Sequence, residues 1–209
     1  MDPGSLAPAD AALWAAMGEA TPRYTPAPTP GAANELRAVE TITASLGQRL
    51  LPWQRWTVRV LTEKRADDPR RYRFPEVLVT VPRQSGKTTV VRGILLARAV
   101  MTPGFRGFYS AQTGRDATER WADLCEAVNR SPIGAAFTYR RAIGSQRLIV
   151  DRNDSRIAPF APTPESLHGY TPHSVALDEI FAFDAVQGND LLGAIKPAQQ
   201  TLPDRQLIL

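Results

Sequence analysis

Lys87, Thr88, Asp178 and Glu179 are the side chains whose types and spacing carry chemistry in this sequence. The first two close the run Val81-Pro82-Arg83-Gln84-Ser85-Gly86-Lys87-Thr88-Thr89. It follows an apolar, β-branched stretch (Val77, Leu78, Val79, Val81) and precedes a helical pattern from Val90 to Val100. A strand that turns through Gly-Lys-Thr into a helix start aims successive backbone N–H groups and the positive end of the helix dipole at one anion. Lys87 then reaches the β- and γ-phosphates of a nucleoside triphosphate, and the Thr88 hydroxyl is offered to Mg²⁺. Gln84, Ser85, Gly86 and Thr89 complete the phosphate cradle. The usual pattern is G-x-x-x-x-G-K-[ST], and Val81 stands at its first glycine. Val81 is read as the end of the strand, with Pro82 fixing the exit angle. An ordinary loop is the alternative for half a motif; the strand before it and the helix after it favour the phosphate reading.

Such a site needs a carboxylate for Mg²⁺ and a group that orients the attacking water. Val175-Ala176-Leu177-Asp178-Glu179 is an apolar strand ending in two acids. Asp178 at the strand end would hold Mg²⁺ through water, and Glu179 would polarise the nucleophilic water. Read in isolation, Asp178 caps a turn and Glu179 is solvated. The upstream Gly-Lys-Thr turns the reading toward an ATPase.

Strands and helices must position these groups, and the pattern supplies both. Helices are expected at Glu35–Leu46, after the Leu50-Leu51-Pro52-Trp53-Gln54-Arg55-Trp56 segment to about Arg65, at Gly114–Asn129 with Ala117, Trp121, Leu124 and Val128 on one face, and at Ala185–Ala194. A central strand is expected at Glu76–Val81, a second near Phe108–Ala111, paired strands at Arg147–Asp151 and Arg156–Phe160, and further strands at Ser174–Leu177 and from Gln206. Alternating strands and helices predict an α/β fold with a mostly parallel sheet and helices on both faces. Residues 1–33, rich in Ala, Pro, Thr and Gly, read as a partly disordered tail with one short helix over Ala11–Ala20. The chain stops inside an apolar strand, which reads as a fragment or a chain split from a longer protein.

The composition permits this reading without demanding it. The 209 residues suffice for one domain, and 43% hydrophobic with 22% charged residues fit a globular protein. The net charge of +4 allows a polyanionic partner and does not require one. The single cysteine, Cys125, excludes an intramolecular disulfide and a cysteine zinc cluster, and its helical context makes it a core residue. No apolar stretch is long enough to span a membrane.

Pro52-Trp53-Gln54, Arg83-Gln84-Ser85-Gly86-Lys87-Thr88, Tyr109-Ser110-Ala111-Gln112, Leu167-His168-Gly169 and Leu177-Asp178-Glu179 together resemble the N-terminal ATPase domain of large terminase subunits of tailed bacteriophages, in its actinobacteriophage-like version. The resemblance covers roughly residues 21–209; its ATPase domain is taken as 34–209. It implies a P-loop NTPase fold of the RecA/ASCE-like type and an ATP-driven motor that moves double-stranded DNA into a procapsid. It implies ATP and Mg²⁺ as ligands. The portal protein and a small terminase subunit are the implied partners, in a homo-oligomeric ring in the host cytoplasm. Gln54 would contact the adenine edge with Trp53 nearby; the alternative is that Gln54 caps a helix. Arg83 would reach the γ-phosphate in cis; the alternative is a surface ion pair. Lys87, Thr88, Asp178 and Glu179 keep the roles given above.

Where many such proteins carry Arg-Gly, this chain has His168-Gly169, expected to pack rather than bind phosphate. An arginine acting on a neighbouring subunit is unassigned, with Arg152 and Arg156 the candidates. The coupling motif and nuclease domain that the resemblance would place downstream are not in the sequence. Arg70, Arg71 and Arg73 around Tyr72 read as a solvated turn before a strand, or as a weak phosphate patch. The rival readings are a helicase-type ATPase lobe and a non-catalytic nucleotide-binding module.

Overall fold

A computed structural model describes residues 3–142 and 144–209. Among these residues the strands β1 (Glu76–Val77), β2 (Arg106–Ser110), β3 (Phe137–Arg140), β4 (Arg147–Val150), β5 (Ser155–Pro159), β6 (Ser174–Leu177) and β7 (Gln206–Ile208) form one sheet in the order β1-β7-β6-β2-β5-β4-β3. The first five in that order pair in parallel, and β4 and β3 add antiparallel at the far edge. The helices are α1 (Pro8–Met17), α2 (Leu36–Ser45), α3 (Pro52–Leu61), α4 (Lys87–Met101), α5 (Gly114–Asn129) and α6 (Ala185–Gln199).

Strand alternation divides the core between two faces. Tyr109, Ala176, Ile208, Ile157 and Leu148 point to the face covered by α2, α4 and α5, which bring Val39, Ile94, Trp121 and Leu124. Phe108, Val175 and Leu207 point to the other face, where α6 supplies Leu191 and Ile195. The fold is thus α/β with a mostly parallel sheet and helices on both faces. Cys125 is buried in the first layer, and burial pushes its thiol pKa up to about 12.

Three expectations need correction. The loop-bearing strand is not central: β1 lies at the sheet edge, its regular part is two residues long, and Leu78 is 67% exposed. Its ladder with Leu209 runs on through Val77 and Val79, so only alternate residues turn inward. Pro75 and Pro82, which cannot donate to a ladder, bracket a segment suited to an edge. The second concerns the amino-terminal segment. Leu13 and Met17 of α1 are buried against Trp56 and Val60, and Asp10 is ion-paired with Arg59 at 3.1 Å with both side chains largely buried. The irregular stretch that follows is tied down as well: Trp56 Nε1 donates to Thr25 Oγ1, and the Thr29 N–H to Glu63. Third, β3 was not expected. It alternates Phe137 and Tyr139 with Thr138 and Arg140, a pattern too short to stand out.

In the arginine-rich turn, Arg70 and Arg71 are exposed. Arg70 and Arg71 pair with Asp68, and Arg73 with Glu63, while Tyr72 is buried. Among the described residues no helix is long and apolar enough to cross a membrane.

Candidate active site

The loop between β1 and α4 is shaped by two left-handed residues, Gln84 (φ 60°) and Gly86 (φ 92°). Side chains other than glycine pay for such a backbone, so Gln84 carries local strain in the loop. Ser85 Oγ donates to the Pro82 carbonyl at 2.7 Å, closing the loop on itself. Gly86 is required twice over. Beyond its φ, a Cβ there would lie 2.6 Å from Gln54 Nε2. α4 starts at Lys87, three residues before the expected Val90, so Lys87, Thr88 and Thr89 form its first turn. This is the turn in which the unsatisfied N–H groups and the dipole favour an anion.

Gln54 links α3 to this loop. Its Oε1 accepts from the Leu51 N–H at 2.8 Å, closing the start of α3, where Pro52 takes the first helical position. Its Nε2 donates to the Gly86 carbonyl at 2.9 Å, and the residue is 3% exposed. Both ends of the amide are thus engaged, and contact with a base edge requires the bond to Gly86 to open. Beside it, a cavity of about 620 Å³ lies between α3 and the β1 segment, walled by Trp53, Trp56, Thr57 and Val79 and reaching Pro82 and Ser85 of the loop.

The acids arrive from β6. The Asp178 N–H donates to the Ser110 carbonyl, extending the β6–β2 ladder by one residue. Asp178 is 8% exposed and its carboxylate forks: Oδ2 accepts from the Tyr109 hydroxyl at 2.9 Å, and Oδ1 lies 2.7 Å from Lys87 Nζ. The Lys87 contact is an ion pair without hydrogen-bond geometry, so Oδ1 is a buried acceptor with no hydrogen-bond donor. Glu179 follows in the left-handed region (φ 62°, ψ 37°), half-buried, and starts a short 3-10 turn, Ile180–Ala182.

The structure therefore brings together Lys87, Asp178 and the first turn of α4, across the intervening β7. Glu179 is adjacent by chain. Arg83 and Gln84 are exposed on the loop, and Thr88 and Thr89 are half-buried in the first turn of α4. Ser110 is buried with its hydroxyl on the Phe160 carbonyl, and Gln112 is exposed. His168 is exposed, not packed as expected, because the 3-10 turn Pro164–Leu167 buries Leu167 instead. Arg152 donates to the Val100 carbonyl near the carboxyl end of α4, and Arg156 pairs with Asp154. Both sit at the opposite end of the molecule from Lys87. The contribution of Tyr109 was missed; the only sequence signal was a tyrosine on the strand that proved to neighbour the acid strand.

Among the described residues no three His, Cys, Asp or Glu side chains form a metal cluster. A divalent cation here would need phosphate oxygens to complete its shell, which is how Mg²⁺ is usually held beside nucleotides. The buried, undonated Asp178 Oδ1 next to a helix start suits that ion.

Residues 52–200 match the family described as terminase large subunit, ATPase domain. No curated protein sequence matches the chain. Among solved structures it is similar to the large terminase of bacteriophage HK97 (TM-score 0.66, 20% identity), covering 84% of this chain and 37% of that one. It is also similar to the large terminase ATPase domain of Thermus phage P74-26 (TM-score 0.56, 19% identity), covering 81% of this chain and 68% of that one. A third match is the large terminase of a thermophilic bacteriophage in complex with ADP (TM-score 0.51, 8% identity), covering 65% of this chain and 33% of that one. At these identities the likenesses show the fold, which is that of a P-loop NTPase.

Proposed function

The chain belongs to the family of large-terminase ATPase domains, and from that premise we propose that it hydrolyses ATP to drive double-stranded phage DNA into a procapsid. One observation carries the proposal: Lys87 of the loop and Asp178 of the acid strand meet at 2.7 Å, although 91 positions apart in sequence (178 − 87). No ordinary turn or solvated acid explains that convergence.

The β- and γ-phosphates are assigned to the N–H groups of Gln84 to Thr89, with the Lys87 ammonium moving from Asp178 to the phosphate oxygens. The base is assigned to the cavity beside Trp53, whose far end touches the loop. Thr88 and Asp178 would hold Mg²⁺, which when bound would neutralise charge on the β- and γ-oxygens. Glu179 accepts the proton of the attacking water as its oxygen bonds to the γ-phosphorus. The bond from that phosphorus to the bridging oxygen breaks, and ADP leaves with the electron pair. Arg83, exposed on the loop and without an ion-pair partner among the described residues, would spread over the γ-phosphate as charge develops there. Gln54 holds the loop through Gly86 and would meet adenine only after that bond opens.

The chain spans 37% of the HK97 terminase it resembles. Packaging, the portal protein and small terminase subunit as partners, a homo-oligomeric ring and action in the host cytoplasm therefore belong to the proposal for the whole protein. The test at this site is Glu179→Gln. It should bind Mg-ATP like the parent and turn over about 10²–10⁴-fold more slowly, the usual contribution of a positioned base. Undiminished turnover would move the base elsewhere, and a parent chain that binds no nucleotide would end the ATPase reading.

A further inference from the structure

Tyr109 is a buried polar group of the site that the catalytic reading leaves without a task. Its position follows from register: on β2 it stands opposite Ala176 of β6. Asp178 lies two residues further along the same face, within reach of a long aromatic side chain. The phenol is 5% exposed, and its hydroxyl donates to Asp178 Oδ2 at 2.9 Å.

We propose that Tyr109 is a positioning residue for the divalent cation that accompanies the nucleotide, acting by fixing the orientation of the Asp178 carboxylate. The inference rests on the ATPase reading above. The terminal torsion of an aspartate is broad and nearly two-fold, so its two oxygens exchange readily. Here they are made different. Oδ2 is tied to the sheet by the only proton the Tyr109 hydroxyl has. Oδ1 is left undonated, facing the first turn of α4 with the Lys87 ammonium beside it. When that ammonium turns to phosphate, Oδ1 is the oxygen already aimed at the cation. A tyrosine kept only for packing would need its ring and not its hydroxyl, and that difference is testable.

Tyr109→Phe keeps the ring in the core and deletes the donor. Binding of a fluorescent ATP analogue is measured in EDTA and then titrated with magnesium chloride. Tyr109→Phe should leave the metal-free affinity within about twofold and raise the Mg²⁺ concentration for half-saturation about tenfold, as loss of a hydrogen bond to a charged group implies. In an Asp178→Asn background the same change should shift the Mg²⁺ midpoint no further, because both residues act through one carboxylate. An unchanged Mg²⁺ midpoint in Tyr109→Phe, with a parent that binds the analogue, overturns the role of Tyr109 alone. So does a variant whose metal-free affinity and melting temperature fall together while its Mg²⁺ midpoint stays put. A parent that binds the analogue in neither condition overturns the ATPase reading instead.

Discussion

At Lys87 a single ammonium must serve two anions in turn, first the Asp178 carboxylate and then phosphate. The structure holds it on Asp178, with the lysine side chain 25% exposed and the aspartate side chain 9%. That arrangement gives Lys87→Ala two separable consequences. Losing the charge that faces phosphate should weaken Mg-ATP binding about tenfold to a hundredfold. It also leaves a mostly buried carboxylate with Tyr109 as its remaining side-chain partner, which costs on the order of 1–3 kcal/mol of stability. Calorimetric titration reads the first effect and chemical denaturation the second. Unchanged affinity would remove the phosphate-loop assignment, whatever happens to stability. Glu179 has no such double duty, since its side chain has no hydrogen-bond or ion-pair partner among the described residues. Its substitution should leave stability alone.

Among the elements, α4 decides where Lys87 points, and its placement depends on a close crossing with α2. Gly93 lies mid-helix, where a Cβ would stand 2.7 Å from Thr43 Cγ2 and 2.9 Å from Val39 Cγ1. Thr43 cannot easily yield, because its hydroxyl is bonded to the Val39 carbonyl at 3.0 Å. Gly93→Ala gains about 1 kcal/mol of helix propensity. Overpacking costs about 1–3 kcal/mol, so the variant should lose up to about 2 kcal/mol in urea denaturation. A variant about 1 kcal/mol more stable than the parent would show that α2 slides aside at no cost. Elements such as α4 and α5 were legible in the letters because their signals are local. α5 runs from Gly114 to Asn129 as read, opened by the Thr113 side chain accepting from the Asp116 N–H. The loop and the acid strand were legible for the same reason. What could not be read was neighbourhood. An apolar run such as Val77 to Val81 does not say which strands will flank it, so an edge passed for a centre. The apolar residues of α1 do not announce that Trp56 will receive them. Gln54 and Tyr109 are bonded to partners 32 and 69 positions away, which no local pattern encodes.

For the whole molecule, the end opposite the site is closed by a buried polar network, and it makes folding sensitive to acid. Arg98, 2% exposed in the last turns of α4, bonds Glu35 at 2.8 Å, Ser174 Oγ at 2.9 Å and Gln206 Oε1 at 2.7 Å, and stacks on Tyr72. Gln206 Nε2 continues to the Leu61 and Phe74 carbonyls. The helix that presents Lys87 at one end is thus clamped at the other to the starts of β6 and β7. Burial alone would raise the Glu35 pKa, but Arg98, Lys64 and the Tyr72 hydroxyl outweigh it and hold the carboxyl below its ordinary 4.5. Nearby, His173 Nδ1 accepts from the Arg106 N–H at 3.1 Å. Burial, opposed by Asp204 and helped by Arg106, holds that imidazole below its ordinary 6.5. Both groups bind protons less readily folded than unfolded, so stability must rise with pH across their windows. The His173 contribution is complete above 6.5 and is lost as pH falls through its lowered folded value; the Glu35 contribution follows below 4.5. Denaturation midpoints should therefore fall in two stages on acidification. His173→Asn, which keeps an acceptor for the Arg106 N–H but cannot titrate, should flatten the upper stage and leave the lower one. If parent and variant decline in parallel below 6.5, the upper stage belongs to another group.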